Sequence, residues 1–156
     1  PQLAELPRRA KRWNDIHDRI AAGLRRSQHI RVPERGGGQV FSATSVQFSA
    51  SGLSPDEMKT FLELAKARGV PIKWFGAAKQ AGFTSAPRHW HYAGDQGPLA
   101  QSHAILADLC DIRTPVTLTD AECDLIAEIV RDSIERTVIG RSETKADPQD
   151  PLQQAS

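Results

Sequence analysis

The sequence predicts an α+β fold in two layers, a short β-sheet covered by helices. Three observations predict it: a well-punctuated helix and strand at residues 54–76, an alternating stretch at 44–50 just before it, and long helical seams towards both ends of the chain. The passage SPDEMKTFLELAKARGVPIKWFG is the most sharply marked. Ser54 suits an N-cap, Pro55 suits the first helical position, and Glu57 can reach back to close a capping box. Met58, Phe61, Leu62 and Ala65 recur at helical spacing, with charged residues between them, so one face is buried. Gly69 can adopt the left-handed conformation that ends a helix, and Pro71 prevents its resumption. Residues 70–75 therefore continue as a strand.

The first helix is predicted over about 6–26. Leu3, Leu6, Ala10, Trp13, His17, Ile20 and Leu24 form one seam in steps of three and four. Pro7 places the regular start near Leu6. The outer face carries Arg8, Arg9, Lys11, Arg12, Arg19, Arg25 and Arg26 against Asp15 and Asp18. No aromatic residues interleave these cations to stack bases, so the face reads as solvated rather than as a nucleic-acid surface.

Residues 29–32 are a strand candidate, and 33–38, with three glycines, a turn. That GGG lacks the spacing of a phosphate cradle and precedes no helix. Residues 44–50 alternate Val46, Phe48 and Ala50 with Ser45, Gln47 and Ser49, the period of a half-buried strand. Strand 44–50, helix 54–68 and strand 70–75 then make a β-α-β unit. Residues 76–98 show no seam, yet contain Phe83, Trp90 and Tyr92, which marks an aromatic-rich loop of the functional or partner-bound kind.

A helical pattern resumes at 99–109, and 110–114 is a last short strand. Thr119 with Glu122 is a second capping box, and Cys123, Ile126, Ala127, Val130 and Ile134 give the closing helix its stripe. Residues 139–156 are polar and proline-containing, and are expected as a disordered tail after a single domain at 1–138.

Composition narrows the function. At 156 residues, 39% hydrophobic and 25% charged, the chain suits one ordinary core. Twenty basic and nineteen acidic side chains give +1, with no overall case for nucleic acid or an anionic membrane. No apolar run approaches the roughly 18 residues of a spanning helix, and no signal-peptide core leads the chain. Cys110 and Cys123 lack CxxC spacing and read as buried free thiols in a reducing compartment, which places the protein in the cytoplasm.

Candidate chemistry is sparse. His89 and His91, with His103 as a third group, are weak as metal ligands because no cysteine or carboxylate completes a set, so no metal is expected. No serine has a nucleophile setting, and no lysine lies in an apolar stretch. No residue of this chain is therefore assigned a catalytic role. Arg113, in DIRTPV, either forks onto a ligand anion or pairs with a nearby aspartate. Of Trp74 and Phe75, alternation sends one inward and the other towards whatever covers the sheet.

The order of parts resembles the C-terminal region of the DegT/DnrJ/EryC1/StrS aminotransferases, which are fold type I pyridoxal-phosphate enzymes. The residues that carry the resemblance are Arg8 and Arg9 on a long arginine-rich helix, Gly69 before a strand, and Pro115, Leu118 and Thr119 before the final helix. The resemblance covers most of 6–138. It implies transfer of an amino group to a keto-sugar or related carbonyl substrate, with a small-molecule amino donor, pyridoxal phosphate as cofactor and a homodimer. The family's Schiff-base lysine belongs to a large domain that precedes this region, so the resemblance implies a fragment that is inactive alone. Many family members have serine where this chain has Arg113, which opens the way to a carboxylate-bearing substrate. Substrate binding is expected at Arg113 and, from the loop argument, at His89, Trp90 and Tyr92. The alternative is a non-enzymatic module that associates through its first helix and aromatic loop.

Overall fold

The computed structural model describes residues 4–34, 44–79, 92, 94, 97 and 99–145. Four strands form an antiparallel sheet in the order β1-β2-β4-β3: β1 is Ile30–Arg31, β2 Ser45–Ala50, β3 Lys73–Trp74 and β4 Leu109–Arg113. The helices are α1 (Leu6–Leu24), α2 (Pro55–Ala67), α3 (Ala100–Asp108) and α4 (Asp120–Lys145). The α+β class is the one the sequence predicts.

Alternation along the strands divides the sheet. Val46 and Phe48 of β2 lie opposite Ile112 and Cys110 of β4, and all four are buried on the face that meets the helices. Ile16, Ile20 and Leu24 of α1, Met58 and Phe61 of α2, and Cys123, Ala127, Val130 and Ile134 of α4 complete this core. Phe48 and Phe61 are fully buried, each contributing about 1.5–3 kcal/mol of transfer free energy. The other face carries Ser45, Gln47, Asp111 and Arg113, and the core built by α1, α2 and α4 lies on the opposite side.

Both capping boxes form. Ser54 Oγ accepts from the Glu57 amide while Glu57 Oε2 accepts from the Ser54 amide, at 3.3 and 2.7 Å. The same reciprocal pair joins Thr119 and Glu122 at 3.3 and 2.7 Å.

Several expectations need correction. The β-α-β unit is split: β2 and β3 are both antiparallel to β4, which lies between them, so α2 crosses over a strand that enters from late in the chain. Strand 70–75 is reduced to Lys73–Trp74, because Pro71 has no amide proton for a ladder and Val70 turns into the core. The seam of α1 is buried only from Ile16 onward, and Leu6 is about half exposed. α3 buries no residue at all, and its Ile105 is 62% exposed. α4 continues through residues 139–145, which the sequence reading gave to the tail. Residues 146–156, the glycine triplet at 36–38 and Phe83 lie outside the described residues.

The basic face of α1 is also not simply solvated. Arg19 holds Asp124 with a two-pronged contact, Nε to Oδ1 at 2.8 Å and a terminal nitrogen to Oδ2 at 2.6 Å, and reaches Asp120 at 3.1 Å. Arg12 donates to Asp120 at 3.1 Å and to the Leu118 carbonyl. These pairs tie α1 to the start of α4. Further along the same seam Gly23 meets Ala127, where a β-carbon on Gly23 would lie 2.5 Å from that of Ala127. Two parallel helices can approach this closely only across a residue without a side chain.

Gly23→Ala is expected to destabilise the chain by about 1–3 kcal/mol, although alanine is the better helix former by about 1 kcal/mol. Ala127→Gly in the same chain should recover much of that loss. Urea unfolding of the two single variants and the double variant checks this, and an unchanged midpoint for Gly23→Ala would overturn the packing argument. The hydrogen bond from Arg19 holds the Asp124 carboxyl below its ordinary value. A depressed carboxylate stabilises the fold above its unfolded pKa of about 4, and that contribution is lost as pH falls through the folded value. Arg19→Gln should therefore lower the melting temperature at pH 7, and the gap to the parent chain should close below about pH 4.

Candidate functional site

A cavity of about 340 Å³ opens at one end of the sheet. Its walls follow from how α2 ends. Gly69 takes φ +89°, its amide donates to the Lys66 carbonyl at 3.0 Å, and the Val70 amide donates to the Ala65 carbonyl at 3.0 Å. This is the glycine-terminated stop that the sequence predicts, and it throws residues 70–72 sideways before β3 begins. Because β3 pairs with β4 only at Lys73 and Trp74, Ile112 and Arg113 extend beyond it along β4. The gap between 69–72 and 112–115 is lined by Val70, Pro71, Ile72, Ile112, Pro115 and, from the α4 end, Leu118 and Ile126.

Charge enters where these walls meet the sheet. Lys73 lies directly opposite Asp111, and Arg113 is two residues further along β4, hence on the same face as Asp111. Asp111 is only 8% exposed, while Arg113 is exposed and Lys73 half-buried. Two cations and one carboxylate thus border a mainly apolar cavity.

Of the two substrate-binding candidates among the described residues, Arg113 borders this cavity and Tyr92 does not. Tyr92 is fully exposed, and His89 and Trp90 lie outside the described residues, as does His91. His103 stands exposed on α3. Among the described residues no group of three His, Cys, Asp or Glu is placed to hold a metal ion. The aromatic stretch leaves the sheet at the end away from Arg113. There the Phe75 amide donates to the Leu109 carbonyl at 2.9 Å, and Trp74 Nε1 donates to the Ala107 carbonyl at 2.6 Å. Trp74 packs against the core, opposite Cys110, which resolves the choice between it and Phe75. A side chain at Gly76 would crowd this contact, since a β-carbon there would lie 2.6 Å from the indole nitrogen and 2.8 Å from the Ala107 carbonyl oxygen. A second cavity, of about 560 Å³, lies at this end beside Leu53, Lys59, Trp74, Gly76, Ala107 and Asp108.

Sequence reasoning missed Lys73 and Asp111. Each could be read as an outward position of its strand, but only the register between β3 and β4 brings them together.

A pyridoxal-phosphate site needs an enclosed lysine for the cofactor's aldehyde, an acid facing the ring nitrogen, and donors for the phosphate. The described residues do not fit that set. No aromatic lines the cavity, and its lysine sits on an edge strand opposite an aspartate. Lys11 and Lys59 are held by Asp15 and Asp56 on exposed helix faces, each at 2.7 Å, and Lys66 and Lys79 are exposed.

No family model matches the chain, and no curated protein matches it in sequence. Solved structures do match. A putative sugar aminotransferase, Spr1654 from Streptococcus pneumoniae, in its PMP form, superposes with a TM-score of 0.69 at 18% identity, covering 87% of this chain and 33% of its own. The aminotransferase TlmJ from Streptoalloteichus hindustanus gives 0.68 at 20%, covering 86% and 34%. A DegT DnrJ EryC1 StrS aminotransferase from Brucella abortus gives 0.61 at 18%, covering 83% and 32%. The fold is that of a small domain of these aminotransferases. The chain spans about a third of the length of the structures it matches. Among the described residues no helix is long and apolar enough to cross a membrane.

The core behind the site is chemically quiet. Cys110 and Cys123 are both free and buried. Burial, with smaller contributions from Asp108 and Asp111, pushes the Cys110 thiol up to about 12, and burial also raises Cys123. Since the thiolate is the reactive form, neither should react with a disulfide reagent in the folded chain at pH 7.5. Both should react fully in denaturant. A fast first equivalent from the native chain would show that one of these strands or helices opens readily.

Proposed function

We propose that this chain is the small domain of a pyridoxal-phosphate-dependent aminotransferase that transfers an amino group from a small-molecule donor to a keto-sugar or related carbonyl substrate. The observation that carries the reading is the superposition of 87% of the chain on a third of a putative sugar aminotransferase. The order of parts in the sequence supports it independently, from Arg8 and Arg9 through Gly69 to Pro115, Leu118 and Thr119.

In this reading the cofactor's electron-sink chemistry belongs to a second, large domain, which supplies the lysine that the described residues lack. The small domain binds and encloses substrate. Arg113 offers a planar cationic fork to an anionic substrate group, and His89, Trp90 and Tyr92 offer stacking and hydrogen-bonding groups from the aromatic loop. The working enzyme is a homodimer in the cytoplasm. A single domain that runs to the end of α4, followed by a tail, is part of this reading.

The isolated 156-residue chain is expected to have no transaminase activity and to form no specific aldimine. Pyridoxal phosphate followed by borohydride should label its lysines diffusely. One lysine labelled to completion within this chain would overturn the assignment of the catalytic lysine to another domain. In the enzyme that includes the large domain, Arg113→Lys should raise KM for substrate, because lysine loses the two-pronged geometry while keeping the charge. Trp90→Ala should raise KM or disrupt the dimer while the cofactor stays bound. Parent-like kinetics and sizing in both variants would remove these residues from the site.

A further inference from the structure

We infer that the cavity of about 560 Å³ between the start of α2 and the end of α3 binds a primary ammonium ion that carries a compact apolar body. Asp108 would accept hydrogen bonds from the ammonium, and Leu53, Pro55, Trp74 and Ala107 would enclose the apolar part. The inference goes beyond the proposed function and uses none of its substrate-binding residues, its cofactor or its second domain. Binding by the chain alone therefore tests it whether or not transamination is found.

The walls stand together on the helix-bearing side of the sheet. Trp74 lies opposite Cys110, a core residue of β4, and both Leu53 and Trp74 pack against the core. The indole and the end of α3 are joined directly, since Trp74 Nε1 donates to the carbonyl of Ala107, the residue before Asp108, at 2.6 Å. A cation that meets Asp108 in this cavity is therefore within reach of the indole, and tryptophan is the aromatic side chain that attracts cations best. Gly76 borders the same ring and, having no side chain, leaves the space beside it open.

Charge selects the cation. Asp108 is half-buried, and its carboxylate makes neither a hydrogen bond nor an ion pair with the described residues. A carboxylate drawn partly out of water without a partner is unfavourable, and an ammonium that hydrogen-bonds to it offsets that loss. Asp108 also ends α3, whose last turn holds no basic residue, so the negative end of the helix dipole adds to its charge. Neighbouring cations already have their own acceptors. Lys59, which lines the cavity, is held by Asp56 at 2.7 Å, and Arg141 reaches Glu57 at 3.6 Å and the Gly52 carbonyl at 3.1 Å. The positive end of α2 is likewise offset, by Asp56 and Glu57 in its first turn. A neutral ligand would fill the apolar walls and leave the Asp108 charge unmatched, and an anion would be repelled by it.

The test titrates 2-phenylethylammonium, with 2-phenylethanol as the neutral comparison and 3-phenylpropionate as the anionic one, into the 15N-labelled 156-residue chain at pH 7. The amine should give saturable amide shifts at residues 53, 59, 74, 76, 78, 107 and 108. It should bind roughly tenfold more tightly than the alcohol, as one hydrogen bond to a charged group allows. The anion should bind more weakly than the alcohol. Asp108→Asn should bring the amine down to the affinity of the alcohol and leave the alcohol unchanged. Ala107→Trp, at an exposed position of α3, should fill the cavity and abolish binding of both. Thermal melts establish that each variant is folded. Added salt provides a measurement on the parent chain itself, and should weaken the amine while sparing the alcohol. No saturable shifts from the amine, shifts confined to the surroundings of Glu63, Glu128 and Glu135, equal affinity for amine and alcohol, or full amine affinity in folded Asp108→Asn would each overturn the inference.

Discussion

The position of β4 is the constraint on which the rest of the structure depends. Leu109–Arg113 comes from late in the chain, yet it pairs with β2 on one side and β3 on the other. It provides the only strand that joins the two halves of the sheet among the described residues. Its core-facing residues, Cys110 and Ile112, are the surface on which the helical layer rests. Two of its other residues, Asp111 and Arg113, carry charge on the opposite face. Bringing β4 between strands that formed earlier in sequence closes a long loop, and that entropy is recovered only when the whole layer packs.

The α1–α4 contact is the second support, and it explains how an arginine-rich helix fits a chain of almost balanced charge. Arg12 and Arg19 are spent on Asp120 and Asp124, acids at the start of α4 where a helix dipole also favours negative charge. Exposed pairs of this kind stabilise little on their own. Their geometric effect is larger: they fix the axial register that sets Gly23 against Ala127, and a slip of one turn would place a side chain where no room exists.

Local features were legible in the sequence because their physics is local. Ser54 and Glu57, Thr119 and Glu122, and Gly69 before Pro71 each act within one turn of chain, and each forms as read. The buried stripes of α2 and α4 follow from residue spacing in the same way. What was not legible depends on partners far away in sequence. Nothing near residues 70–75 indicates that β4 separates them from β2, or that only Lys73 and Trp74 find ladder partners. The charge row of Lys73, Asp111 and Arg113 has the same origin, so sequence reasoning reached Arg113 alone. α3 shows the opposite failure, since its pattern gives a helix correctly but says nothing about what it packs against.

The antiparallel pairing of β3 and β4 also separates two groups that the sequence invites one to combine. The aromatic stretch departs after Gly76, beside the Leu109 end of β4, whereas Arg113 ends the same strand. Four residues of extended chain put about 13 Å between those ends. A single compact ligand at the Arg113 cavity therefore does not also touch the point where the loop leaves the sheet. A substrate contacting both would have to be elongated, with its anion at one end of the strand and a stackable group at the other, or the loop would have to return along the sheet face past Gln47 and Asp111. The first case matches an extended two-part substrate, and the second makes the polar sheet face itself part of the binding surface. The geometry of β4 thus turns the question of which residues bind substrate into one about the length of the ligand.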